Sequence, residues 1–144
     1  MAIIQTTCTS FKLQLLKAEH DFDAHTFRIA LYSSAASLGA DTTVYSTTNE
    51  ITNTSGTAYT AGGKPLTVTS TFPKTSGTTA IVDFDNISWT DASFTARGAL
   101  IYNASASNKA VAVLDFGSDR VASDSTFEIQ FPVADATSAI IRIA

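Results

Sequence analysis

The sequence is poor in cysteine and in charged residues. Its 144 residues include one cysteine, Cys8, so no disulfide can form within the chain. A domain without disulfides is held together by its core, as is typical of proteins that fold in a reducing compartment. Charged residues make up 15% of the chain, against about 25% in average soluble domains. The net charge is −4 and the 9 basic residues are scattered, which argues against nucleic acid as a partner.

Long apolar runs are also lacking. No stretch approaches the roughly 20 apolar residues needed to cross a bilayer, and the N-terminal residues have no basic lead followed by an apolar run. We therefore expect neither a membrane protein nor one exported by a standard signal. The hydrophobic fraction of 44% supports one buried core, and we expect a single domain over residues 1–144.

The sequence is rich in serine and threonine, and its apolar residues often recur at every second position. These features are typical of strands. Residues 33–63 break this pattern with glycines and polar runs. They are predicted to form a long surface loop with at most short strands or turns, which we call the excursion. Residues 74–77 are predicted to form a turn, and residues 104–108 the loop of a hairpin over residues 97–116. The predicted strands lie between about residues 26 and 143, at residues 27–32, 66–72, 80–89, 94–102, 109–116, 126–131 and 139–143.

A single helix is predicted near the N-terminus, over about residues 7–19. Ile4, Cys8, Phe11 and Leu15 recur at spacings of four, three and four, which is the apolar stripe of an amphipathic helix. No helix is predicted between the strands, so the sheets should be antiparallel. The predicted fold is therefore mostly β, an antiparallel β-sandwich or jelly roll with one N-terminal α-helix.

The strongest metal-like pattern is the stretch of residues 19–25, with two imidazoles and three carboxylates. His20 and His25 are five residues apart where the helix should end, whereas ligands on a helix face are three or four apart. The simpler interpretation is a solvated connection between the helix and the next strand. We predict no metal site and no cofactor.

Catalytic groups are equally hard to find. Cys8 lies on the predicted apolar stripe, where a thiol is a small buried hydrophobe. Asp83 and Asp85 alternate along one predicted strand and should share its wet face. No nucleophile, acid and base form a set, so the sequence predicts no catalytic residues and a protein that is not an enzyme.

The aromatic residues leave two interpretations open. Trp89, Tyr59 and Tyr102 could form an exposed platform on which a sugar ring stacks. Aromatics at strand positions more commonly belong to the core or to a contact between subunits. An exposed shelf would favour a carbohydrate-binding function.

Several stretches of the chain resemble a widespread family of small virion proteins of tailed bacteriophages, whose members are structural or capsid cement (decoration) proteins. Among them are Ala-Arg-Gly-Ala-Leu-Ile-Tyr-Asn at residues 96–103 and Lys-Ala-Val-Ala-Val-Leu-Asp-Phe-Gly at residues 109–117. The others are residues 1–12, 26–32, 59–63, 89–90 and 139–143.

The resemblance implies a β-sandwich that binds in many copies to the outside of a capsid and bridges major capsid protein subunits. It would be assembled in the host cytoplasm and act on the exterior of the virion, as a dimer or trimer. Strand interiors belong to the core, so we expect the contacts at the N-terminal residues 1–4, in the excursion of residues 33–63 and at the loop tips. The predicted contact residues are Met1, Ile3, Ile4, Tyr45 and Tyr59.

Three alternatives stay open at this stage. The first is a tail or fibre component that contacts host-surface carbohydrate. The second is a hydrolase or metal enzyme, and the third is an interaction domain unrelated to virions.

Overall fold

A computed structural model describes residues 2–52, 56–69 and 72–144, and it contains two antiparallel sheets and one short helix. The strand order is β1-β7-β6-β2-β3 in the five-stranded sheet and β4-β5-β8 in the three-stranded sheet. The predicted class, a mostly β sandwich with one helix, is confirmed. The elements are β1 (Thr6–Thr7), α1 (Thr9–Leu16), β2 (Phe27–Tyr32), β3 (Lys64–Pro65), β4 (Lys74–Ser76), β5 (Thr79–Val82), β6 (Ile87–Asn103), β7 (Lys109–Ile129) and β8 (Ile141–Ile143).

Strand β2 is the centre of the core because both of its faces are covered. On one side Phe27 stacks on Phe22 at 4.3 Å, within an aromatic cluster that also includes Phe11 of the helix. On the other side the Tyr32 hydroxyl donates to the Ser46 carbonyl at 2.7 Å, so the excursion covers it. We call these two sides of the large sheet the helix face and the excursion face.

The predicted excursion is confirmed in the residues that the structure describes between β2 and β3, which make only isolated bridges. Val44 bridges to Lys109 beside β7, and Glu50 bridges to Tyr32 on β2. These two strands lie on opposite sides of β6. The excursion therefore crosses the sheet between residues 44 and 50.

The hairpin of β6 and β7 dominates the large sheet, and its predicted loop at residues 104–108 is confirmed. Both strands are longer than predicted, because residues 87–89 join β6 and residues 126–129 join β7. Residues 117–121 and 123–126 in the outer half of β7 are all exposed. The polar residues that suggested a break between two strands therefore belong to one continuous strand with little cover on either face.

Several sequence predictions at strand ends are wrong, including residues 130–131 and 139–140, which lie outside β7 and β8. Residues 66–69 form only a single bridge, from Val68 to Phe84, and residues 70–71 of that prediction lie outside the described residues. Residues 74–76, predicted as part of a turn, form β4. The predicted strand 80–89 breaks after Val82, where the Asp83 carboxylate accepts a hydrogen bond from the next backbone N–H at 2.8 Å.

The helix is shorter than predicted at both ends. Its first predicted residue, Thr7, pairs instead with Ala112 as part of β1, which leaves Ile4 61% exposed outside the helix. At the other end Ala18 adopts a left-handed φ of 58°, a conformation that ends a helix. Cys8 and Phe11 are buried as predicted.

Candidate interaction surface

The excursion is anchored by a buried carboxylate. Glu50 is 8% exposed, and its Oε1 accepts hydrogen bonds from the Tyr59 hydroxyl at 2.5 Å and the Gly62 N–H at 2.7 Å. Its Oε2 accepts from the Tyr45 hydroxyl at 2.7 Å. Burying a carboxylate is costly unless donors replace water. Three donors do so here, and all come from the excursion itself.

The tyrosines tie this anchor to the large sheet. The Tyr59 hydroxyl accepts from the Leu31 N–H at 3.0 Å, while Tyr102 donates to the Gly62 carbonyl at 2.6 Å and stacks on Tyr45 at 4.6 Å. Burial, followed by the hydrogen bond to Glu50, raises the pKa of Tyr45 and of Tyr59. Both phenols therefore stay neutral donors, and the excursion is held against β2 and β6.

A groove of about 840 Å³ opens between the N-terminal segment and the first half of the excursion. We call it the excursion groove. Its lining includes several serine and threonine residues, and Ile4 and Val44, which are 61% and 48% exposed, also line it. The Ile4 N–H donates to the Leu38 carbonyl at 2.9 Å, which fixes the N-terminal segment. The groove thus presents two apolar side chains on ordered backbone.

The predicted contact residues divide between surface and core. Ile4 is exposed in the excursion groove, and Tyr45 is half-buried with its hydroxyl committed to Glu50. Ile3 is 7% exposed and Tyr59 is 1% exposed, so we withdraw both as contact residues. Met1 lies outside the described residues.

Alternation along extended backbone explains the difference between Ile3 and Ile4. When Ile4 faces the groove, Ile3 must face the sheet. There it lies so close to Gly98 that a Cβ at that glycine would be 2.8 Å from Ile3 Cγ2. The Leu114 carbonyl oxygen would be closer still, at 2.6 Å, so position 98 has no room for a side chain.

Glu50 and Val44 were not predicted as important residues. Glu50 is the only acidic residue between Asp41 and Asp83. A single acidic residue in a long polar stretch that also contains tyrosines could have indicated a buried carboxylate. The sequence does not show which tyrosines lie beside it in the fold.

The histidines of the stretch 19–25 converge on Asn103, the last residue of β6. Asn103 is fully buried, and its Nδ2 donates to His20 Nδ1 at 3.0 Å and to His25 Nδ1 at 2.9 Å. His20 Nε2 contacts Gln14 Oε1 at 2.8 Å. The predicted solvated connection is therefore wrong for His20, which is 8% exposed, because it packs edge-on against Phe11.

The Asn103 amide holds both imidazoles in place by hydrogen bonds. Within residues 2–52, 56–69 and 72–144, no group of three or more His, Cys, Asp or Glu side chains is placed to hold a metal ion. The Asn103 amide occupies the point where both imidazoles meet. Burial, followed by the charge of Lys109, lowers the pKa of His20, which favours the neutral imidazole that accepts from Asn103.

The other candidate catalytic residues are also used internally. Burial raises the pKa of the Cys8 thiol to about 11, as expected for a buried hydrophobe. Asp83 and Asp85 do not share a wet face, since Asp83 is 2% exposed and caps the Phe84 N–H while Asp85 is exposed. Both lie between the end of β5 at Val82 and the start of β6 at Ile87, so they do not belong to one continuous strand.

The three aromatic residues considered for sugar stacking do not form an exposed surface. Trp89 and Tyr59 are each 1% exposed and Tyr102 is 3% exposed. Trp89 packs edge-on against Phe127 at 6.1 Å, and the Lys64 ammonium lies 5.4 Å from its ring centre. These aromatics belong to the core.

Among the helices in the described parts of the chain, none is long and apolar enough to span a membrane. Comparisons of the chain with protein-family models, curated proteins and solved structures found no match in any of the three.

Proposed function

We propose that this chain is a non-enzymatic structural protein of a tailed bacteriophage, a capsid cement protein. It binds the outside of the capsid in many copies and bridges neighbouring major capsid protein subunits, as a dimer or trimer. The excursion groove is the main contact surface in this proposal. The observation that carries it is the pair of exposed apolar side chains, Ile4 and Val44, held on an anchored backbone.

Rigidity of this surface suits repeated binding to a lattice. A contact surface that is already ordered loses little conformational entropy on binding. The Glu50 anchor and the Tyr102 contact provide that order, since they fix the excursion from two sides. The remaining hydroxyl-rich lining can form hydrogen bonds around the apolar centre, as is usual at interfaces.

Three buried ionisable side chains form hydrogen bonds within the fold, which supports a binding role. Glu50, His20 and Asp83 are each satisfied by neighbouring groups of the fold. None of the three is free to transfer a proton to a substrate in the excursion groove. A tail protein that stacks host sugars is a weaker proposal, because Trp89 and three of the four tyrosines are buried.

The test compares capsids prepared with and without this protein. A cement binds the assembled shell and not the dispersed subunits, so it stabilises the shell by mass action. We expect decorated capsids to resist heat and the internal pressure of packaged DNA better than bare ones. Equal resistance, with only a few copies per particle located at the tail, would rule out the cement function.

Surface variants identify the contact. Each apolar side chain buried on binding contributes about 1.5–3 kcal/mol, so Ile4→Ser with Val44→Ser should lower capsid affinity by more than about tenfold. Val121→Ser is the matched control, since Val121 is 73% exposed on the outer half of β7. Capsid co-sedimentation measures both. Unchanged binding of the double variant would exclude the excursion groove as the contact surface.

A further inference from the structure

A second groove lies on the opposite side of the large sheet, between α1 and β8. Its volume is about 410 Å³, and it is lined by Phe11, Lys12, Leu15 and Leu16 of the helix and by all three residues of β8. We call it the helix groove. Thr6 lines the excursion groove and its neighbour Thr7 lines the helix groove. Consecutive strand residues point to opposite faces, so β1 separates the two grooves.

One wall of the helix groove is the edge of a strand. Strand β8 is the last strand in the order β4-β5-β8, and its second edge pairs with no strand in the described part of the chain. Side chains alternate between faces, yet three consecutive residues line the groove. The wall they form therefore includes the free edge of β8. The N–H and C=O groups of β8 that point away from β5 can pair with another extended segment.

The floor and the opposite wall are apolar. Phe11 and Leu15 form the floor, while Leu16 is 87% exposed and Ile143 is 55% exposed. Leu13, at 55% exposure, extends the same surface along the helix. Large apolar side chains clustered in this way are typical of a surface that another molecule covers.

The charged side chains that line the helix groove are all basic. Lys12 and Arg142 line the groove and no acidic side chain does, although the whole chain carries a net charge of −4. Lys17, which follows the helix, is exposed one turn beyond Leu13. Charge complementarity therefore favours an acidic occupant.

We propose that the helix groove binds an extended, acidic and apolar segment of a partner protein, which adds as a strand to the free edge of β8. An apolar side chain of the segment fits between Leu16 and Ile143, and a carboxylate pairs with Lys12 or Arg142. This inference holds whether or not the partner is a capsid subunit. It assigns the protein a second binding site, distinct from the excursion groove.

The test uses a synthetic peptide of about eight residues, enough to span a strand of ordinary length. Its sequence is Asp-Val-Thr-Ile-Asp-Val-Thr-Ile with both ends blocked. We expect binding at a Kd on the order of 10–100 µM, with NMR shifts at the backbone amides of β8 and α1. The matched control peptide carries N-methyl groups on the residues that would donate to β8. Absence of binding at about 1 mM, or equal binding of the methylated peptide, would overturn the proposal.

Reversing the charge at Lys12, and then the charge of the peptide, provides a second test. A variant that merely folded poorly would not bind a basic peptide better. Lys12→Glu should weaken binding of the acidic peptide about tenfold and should improve binding of a peptide in which lysine replaces both aspartates. Leu16→Ser should weaken both peptides, and Val121→Ser should weaken neither. If Lys12→Glu left both affinities unchanged, the proposed pairing would be wrong.

Two other occupants give different results. If a second copy of the chain covers the groove, sedimentation shows a dimer that Leu16→Ser dissociates and that excludes the peptide. If a lipid surface covers it, the protein binds phosphatidylglycerol vesicles and not the peptide. Either outcome overturns the proposal.

Discussion

Asn103 shows how a single buried side chain can hold three segments together. Its Nδ2 donates to the imidazoles of His20 and His25, and its Oδ1 accepts from the Ser105 N–H at 3.0 Å. The Asp21 N–H also donates to His25 Nδ1, at 3.2 Å. The Ser105 N–H identifies the amide oxygen, and the Asp21 N–H identifies His25 Nδ1 as an acceptor, so the amide nitrogen must face the imidazoles. For the amide to donate to His20 as well, His20 Nδ1 must carry no proton.

This requirement predicts a dependence of stability on pH. The pKa of His20 is lowered from its ordinary value of 6.5 by burial and then by Lys109, against the opposing effect of Glu19. Below pH 6.5 the unfolded chain binds a proton that the folded chain resists, so stability present above that pH is lost as the pH falls through the lowered pKa. Denaturant unfolding between about pH 7.5 and pH 5 measures this slope.

The control for this prediction is His20→Gln, which cannot take up the proton. The variant should be less stable at neutral pH, and the loss of stability on acidification should be smaller than in the wild type. Equal slopes for the two proteins would show that His20 does not contribute.

At the scale of elements, α1 depends on one side chain. Phe11 is 1% exposed and packs against both His20 and Phe22, whereas Leu16 on the other side of the helix is 87% exposed. The eight residues of α1 are too few to form a stable helix alone. Its order must come from packing through Phe11.

We therefore expect Phe11→Ala to lower the free energy of unfolding by roughly 3–5 kcal/mol, because it leaves a cavity between the helix and the sheet. Leu16→Ala is the matched control and should change stability by less than about 0.5 kcal/mol. Urea unfolding measures both. A loss below about 1 kcal/mol for Phe11→Ala would mean that the helix is loosely attached.

The elements also show what sequence patterns can and cannot predict. Period-two alternation of residue types identified β2, although both of its faces are buried. A short polar stretch between two apolar runs identified the loop of the β6–β7 hairpin. Sequence patterns failed at β1, because the apolar spacing around Thr6 and Thr7 is helical whereas both residues pair with β7. They failed again at residues 74–76, which form a strand only because β5 lies beside them. Pairing with a distant partner decides such segments, and local sequence does not record it.

The same limit applies to the surface of the whole molecule. The sequence predicted Ile4 both on the apolar stripe of the helix and as a contact residue, and Ile4 is exposed outside the helix. The helix groove could not be predicted at all, because it combines α1 with β8, segments that are more than a hundred residues apart along the chain. The two grooves face opposite sides of the large sheet. If both grooves bind partners as proposed, the protein can join two partners at once, which the proposed bridging function requires.

The central position of β2 has a further consequence during synthesis. Its main partner, residues 98–103 of β6, follows about 70 residues later in the chain, so it leaves the ribosome well after β2. Until then the growing chain displays the apolar residues of both faces of β2 together with unpaired strand edges. Such a nascent chain is prone to associate with others, and only the arrival of β6 completes a core around it.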